Sequence, residues 1–190
     1  MKKYKNKTNK KAFTLIELLA VIVILGVLMI TAIPAVTKAI AKSRRDTYVT
    51  NAKKIIDATR TSVLNEEFNE GNNNTCQLPG PGDYIVIDLV PTAGSVIDNL
   101  LERGGKQSSF NKEYTGGTIW IVNEGSETTD KYVYYITLVD SGKNGIKGTV
   151  AENSLNRSKV FIGNATKSTD LPETVKKNST AQPHTCTYAG

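Results

Sequence analysis

Hydrophobic and polar positions divide this chain into three regimes. Residues 1–12 are lysine-rich, and from Phe13 to Ile33 there follow 21 residues with a single charge, Glu17. Beyond Pro34 the apolar residues thin into a periodic stripe. An apolar run of that length can cross a bilayer as one helix. A lone carboxylate at the centre of such a span costs roughly 2.5–3.5 kcal/mol, which argues for a functional Glu17. The competing reading keeps Glu17 hydrated near the interface, about one helical turn from the cytoplasmic end. Past the run, Val49, Ala52, Ile56, Thr59 and Val63 recur at spacings of three and four, with Ile55 and Leu64 beside them. Lys53, Lys54, Asp57 and Arg60 fall off that stripe, as in an amphipathic helix. Pro34 removes a backbone donor and Gly26 is a second soft point, so both loosen the helix. The pattern predicts one helix from Phe13 to about Asn69, ended by Gly71-Asn72-Asn73-Asn74 and roughly 85 Å long at 1.5 Å per residue.

The rest of the chain has a different rhythm. Tyr84 to Ile87 reads as a strand after the turn-rich Pro79-Gly80-Pro81-Gly82. Ala93 to Arg103 reads as a short helix, with Val96/Leu100 and Ile97/Leu101 as i, i+4 pairs and Gly104-Gly105 as its stop. Three β-rich runs follow, Thr118–Val122, Tyr132–Val139 and Ile146–Val150, joined by the polar segments Asn123–Lys131 and Asp140–Gly145. The aromatic and branched content of Tyr132–Leu138 suits a central strand, and Lys159–Ile162 an edge strand. The tail from Gly163 is polar and is expected to be loop. The fold class is therefore α+β: a long N-terminal helix, its apolar half membrane-spanning and its second half amphipathic, packed on an antiparallel meander.

Charge refines this picture. The formal net charge is +6, from 24 basic and 18 acidic side chains. Six lysines, Lys2, Lys3, Lys5, Lys7, Lys10 and Lys11, lie in the first 12 residues. Without them the side chains balance, so the basicity belongs to a leader and no specific nucleic-acid partner is expected. The same lysines favour a cytoplasmic N-terminus, whereas Lys38, Lys42, Arg44 and Arg45 oppose that orientation. The leader lysines outnumber them, and the C-terminal domain is read as lying outside.

The run Lys10-Lys11-Ala12-Phe13-Thr14-Leu15-Ile16-Glu17-Leu18 resembles the N-terminus of type IV prepilins and of pseudopilins of the same superfamily. Gly26 and Pro34 agree with the places where that family has a helix-loosening Gly and Pro. Ala12 departs, since the family usually has Gly there, although a small side chain still suits a tight protease subsite. The resemblance implies that a membrane aspartic prepilin peptidase cuts between Ala12 and Phe13 and methylates the new Phe13 amine. It also implies polymerisation with identical subunits through the N-terminal helix and a pilus assembly platform as partner. Glu17 would act between subunits. The bilayer is the environment before assembly, and an extracellular pilus the destination. The implied organisation is a leader at 1–12, a transmembrane and filament-core helix at 13–34, an amphipathic continuation at 35–70 and a globular head at 71–190. Two other functions stay open: a pseudopilin of a type II secretion or DNA-uptake system, and a membrane-anchored binding domain that never polymerises. A secretory signal peptide cut after Ala39-Ile40-Ala41 is a further reading of the N-terminus, but the run exceeds the usual h-region of ~7–15 residues.

Cys76 and Cys186 are the two cysteines. In an exported domain the pair reads as a disulfide, and type IV pilins similarly tie down their C-terminal segment; in a reducing setting both would be free thiols. His184, in the polar tail, reads as a solvated side chain. Asp140-Ser141-Gly142-Lys143-Asn144-Gly145 reads as a hairpin turn and not as a calcium loop, because Lys143 adds a positive charge and Asp140 is its only carboxylate. Asn156, Asn164 and Asn178 open glycosylation sequons of low specificity. No catalytic constellation, metal site or cofactor is expected.

Overall fold

The computed structural model describes residues 13–64, 78–90, 96–178 and 181–185. The leader with Ala12, the Gly71–Asn74 stop, Cys76 and Cys186 lie outside the described residues. The chain divides into two compact units, 1–41 and 42–190. Helix α1 (Leu15–Leu64) contributes to both and contains Pro34.

In the first unit, every large apolar side chain from Phe13 to Ile40 is exposed. Among the described residues, α1 is the one helix long and apolar enough to cross a membrane.

The second unit is built on a six-stranded sheet. After β1 (Tyr84–Asp88) come helix α2 (Val96–Arg103), β2 (Tyr114–Asn123), β3 (Tyr132–Asp140), β4 (Gly145–Ala151), β5 (Val160–Phe161), helix α3 (Glu173–Lys177) and β6 (Pro183–Thr185). The strand order is β5-β4-β3-β2-β1-β6. Strands β1 to β5 form the expected antiparallel meander, with β3 central and β5 at an edge. Register fixes two faces, because successive side chains of a strand alternate. Ile85, Ile87, Ile119, Ile121, Ile136, Leu138 and Ile146 lie on one face, in a core shared with Tyr48, Ala52, Ile55 and Ile56 of α1. The helical stripe is buried as the periodicity demands, from Val49 through Ala52, Ile56 and Thr59 to Val63. Tyr48, beside Val49 and four residues before Ala52, widens it. Its hydroxyl donates to the carbonyls of Leu138 and Asn144, both at 3.2 Å.

Gly104 and Gly105 end α2, with N–H groups bonded to Leu101 O and Glu102 O. Gly104 also permits close approach to α1. A Cβ there would lie 2.5 Å from Ile55 Cγ1 and 3.0 Å from the Asn51 carbonyl. Arg60 ties the other end of the helix to the sheet. It pairs with Asp57 and, at 2.7 Å, with Glu152, and its guanidinium lies 4.5 Å from the centre of the Tyr134 ring.

The tail corrects the expectation of loop after Gly163. Leu171, Val175 of α3 and Ala181 cover Tyr84, Val86, Trp120, Val122 and Tyr135 on the face of the sheet opposite the helix. Trp120 is thereby fully buried. Beyond α3, β6 pairs parallel to β1, with His184 opposite Ile85, so His184 belongs to a strand and not to a loop. The physical reason is the surplus of apolar residues on β1 and β2. Both faces of these strands are hydrophobic, and the helix can cover only one.

The segment Asp140–Gly145 is a hairpin. The Asp140 carboxylate is buried and accepts from Gly142 N–H and Asn144 N–H at 2.9 Å, from Asn144 Nδ2 at 3.0 Å and from Ser108 Oγ at 2.6 Å. It serves as the internal acceptor of its own turn.

Candidate assembly site

The structure places the sequence-derived site residues at the start of α1. Leu15 is the first helical residue and Thr14 precedes it. One oxygen of Glu17, Oε2, accepts from the Thr14 backbone N–H at 2.8 Å and from the Thr14 hydroxyl at 2.9 Å. Glu17 N–H in turn donates to Thr14 Oγ1 at 3.3 Å. This is a reciprocal capping box, in which a Thr before the helix and a Glu three residues later satisfy each other's orphan donors. The first four N–H groups of a helix have no partner within it, and an anion there also complements the helix dipole. Thr14 was not singled out in the sequence reading, yet the signal was present: Thr-x-x-Glu directly before an apolar run.

Phe13 is 89% exposed, one residue before the cap. Gly26 and Pro34 lie farther along the helix. A Cβ at Gly26 would meet nothing within 4 Å among the described residues, so packing against them does not demand a glycine there. Pro34 lacks the N–H that would bond Ile30, and the Thr37 hydroxyl bonds the Pro34 carbonyl at 3.1 Å. The structure thus brings Phe13, Thr14 and Glu17 together at one helix end and leaves Gly26 and Pro34 as separate points on the same apolar helix.

Such a surface cannot remain in water. Exposed apolar patches beyond a few hundred Å² mark membrane or protein contacts, and α1 presents such a surface from Phe13 to Ile40.

Comparison with known proteins bears on the same segment. Residues 7–33 match the prokaryotic N-terminal methylation motif. No curated protein and no solved structure matches the chain. The chain therefore carries the prepilin signature of the type IV pilins and pseudopilins. That signature marks a type IV pilin-like or pseudopilin-like precursor, points to a structural subunit and implies processing by a prepilin peptidase. A membrane-capable helix behind the motif fits a membrane-anchored precursor.

Proposed function

We propose that the chain is a type IV pilin subunit that polymerises through its N-terminal helix into an extracellular filament. The observation that carries this reading is the methylation motif at 7–33 followed by an apolar surface exposed without interruption to Ile40. Residues 1–12 act as leader, 13–34 as membrane span and later filament core, 35–70 as the amphipathic continuation and 71–190 as the head. Cleavage between Ala12 and Phe13 leaves a methylated amine on Phe13. Identical helices then replace lipid around the apolar surface, at little cost because both environments are apolar. Gly26 and Pro34 let the helix adjust as it moves from one to the other. Glu17 of one subunit meets the Phe13 amine of its neighbour, pairing two charges that would each be costly alone. The Cys76–Cys186 bridge closes the head. Electron microscopy of cells labelled with antibody to the head tests the proposal. Labelled filaments support it, whereas labelled membrane without filaments would contradict polymerisation.

A further inference from the structure

Lys38, Lys42, Arg44 and Arg45 follow the apolar run and bias topology against the orientation proposed above, and the assembly reading gives them no task. Three of them, Lys42, Arg44 and Arg45, open the second unit. Two loops join them there. The Ser109 hydroxyl donates to the Arg44 carbonyl at 2.6 Å, and Ser108 Oγ donates to Asp140 of the β3–β4 hairpin. Ser141 N–H bonds the Glu113 carbonyl at 2.8 Å, and a Cβ on Gly142 would lie 3.1 Å from Lys112 Cγ. These contacts gather Lys112 and Lys143 at the end of the domain where the chain enters it.

The cluster is short of anions. Among the described residues, no carboxylate lies within salt-bridge distance of Lys42, Arg44, Arg45, Lys112 or Lys143. Arg45 Nε is buried and has no hydrogen-bond partner among the described residues. Asp46 is held by Arg157 at 2.9 Å, the Asp140 carboxylate is occupied by the donors of its own hairpin, and Glu113 adjoins Lys112 in the sequence. A chain whose side chains balance after leader removal thus concentrates positive charge where its second unit begins.

We propose that this basic end docks on anionic phospholipid headgroups at the outer membrane–water interface while the apolar run is still in the bilayer. The proposal rests on the membrane reading above. Each cation near an anionic surface favours contact roughly five-fold, and several together would hold the head against the membrane until assembly extracts it.

The test uses the full-length chain in vesicles of phosphatidylcholine alone, or of phosphatidylcholine and phosphatidylglycerol in equal parts. Amine acetylation rates are read lysine by lysine by mass spectrometry. Lys42, Lys112 and Lys143 should react at least about three-fold more slowly on the anionic vesicles, and high salt should erase the difference. Lys131 is the internal control. It lies one residue before the nine-residue β3, whose far end carries Asp140. That strand spans roughly 30 Å, about three Debye lengths at 0.1 M salt. Equal rates on both vesicles would overturn the proposal. So would slowing that follows protein density in pure phosphatidylcholine, which would assign the basic end to acids of a second copy. A chain stripped from the vesicles by alkaline carbonate would overturn the membrane reading, and this proposal with it.

Discussion

Thr14 and Glu17 satisfy each other: one carboxylate oxygen accepts two hydrogen bonds from Thr14, at 2.8 and 2.9 Å, and the Thr14 hydroxyl accepts one from Glu17 N–H. Glu17 therefore has a partner within its own chain before any neighbour arrives. Under the proposed function the same carboxylate also supplies a charge between subunits, and substitution separates that role from the cap. Thr14→Ala breaks the cap at a cost of about 0.5–2 kcal/mol and leaves the charge. Glu17→Val removes the charge and the carboxylate half of the capping box, and leaves the backbone N–H of position 17 to Thr14 Oγ1. We expect Glu17→Val to retain membrane insertion and leader cleavage but to lose most surface filaments, and Thr14→Ala to lower filament number far less. Filament counts alongside the amount of processed subunit decide it. Equal losses would reduce Glu17 to a cap, and normal filaments in Glu17→Val would remove it from assembly.

The β3–β4 hairpin depends on a buried carboxylate. Asp140→Asn replaces one acceptor oxygen by a donor, facing N–H groups of Gly142 and Asn144 or the hydroxyl of Ser108. Hydrogen bonds to a charged acceptor contribute about 1.5–3 kcal/mol, and the substitution should destabilise the head by that order. Urea unfolding measures it. A midpoint unchanged from the parent would show that the hairpin does not need the charge.

Tyr48 makes the head sensitive to alkali. Burial, then the neighbouring Tyr114 and Asp140, raises its hydroxyl well above the ordinary tyrosine value of about 10. Below that value Tyr48 is neutral in both folded and unfolded chains, and it contributes no pH dependence. Above it the unfolded chain loses the proton first, so stability falls by about 1.4 kcal/mol per pH unit for this group. Tyr48→Phe should remove that increment of slope while costing about 0.5–1.5 kcal/mol at neutral pH for the lost hydrogen bonding to Leu138 and Asn144. Denaturant unfolding between pH 9 and 12 provides the check. Identical slopes in both proteins would contradict the assignment.

Much of this architecture was legible from spacing. Val49, Ala52, Ile56, Thr59 and Val63 share one helical face by arithmetic alone, and all are buried. The branched and aromatic content of β1 to β4, with turn-forming or polar segments between them, identified the strands. Tyr48 escaped the stripe although it lies four residues before Ala52, since an aromatic beside Arg44 and Arg45 looks like a surface residue. The tail was misread for a different reason. Leu171 and Val175 are two apolar positions, four apart, in a polar segment, and only the doubly buried β1 and β2 reveal what they cover. Pro172 and Glu173 before Lys176 and Lys177 do carry the polarity of a short helix. Strand β6 offers no alternation to detect, and its parallel pairing is a tertiary fact. At the helix start, Thr-x-x-Glu is the sequence form of the capping box, and it coincides with the one charge of the apolar run.

The two cysteines supply an independent test of export. Cys76 and Cys186 are expected to be bridged in protein purified from the cell exterior without reductant. Non-reducing peptide mapping should recover one linked peptide pair. Two alkylated free thiols would contradict the bridge.

The central claim concerns where the mature chain begins. Mass spectrometry of the native N-terminus, on subunit isolated from the cell surface, reads it directly. The account predicts a chain starting at Phe13 with one methyl group on its amine. A chain starting at Met1, or at Lys42 after a signal-peptide cut, would contradict it.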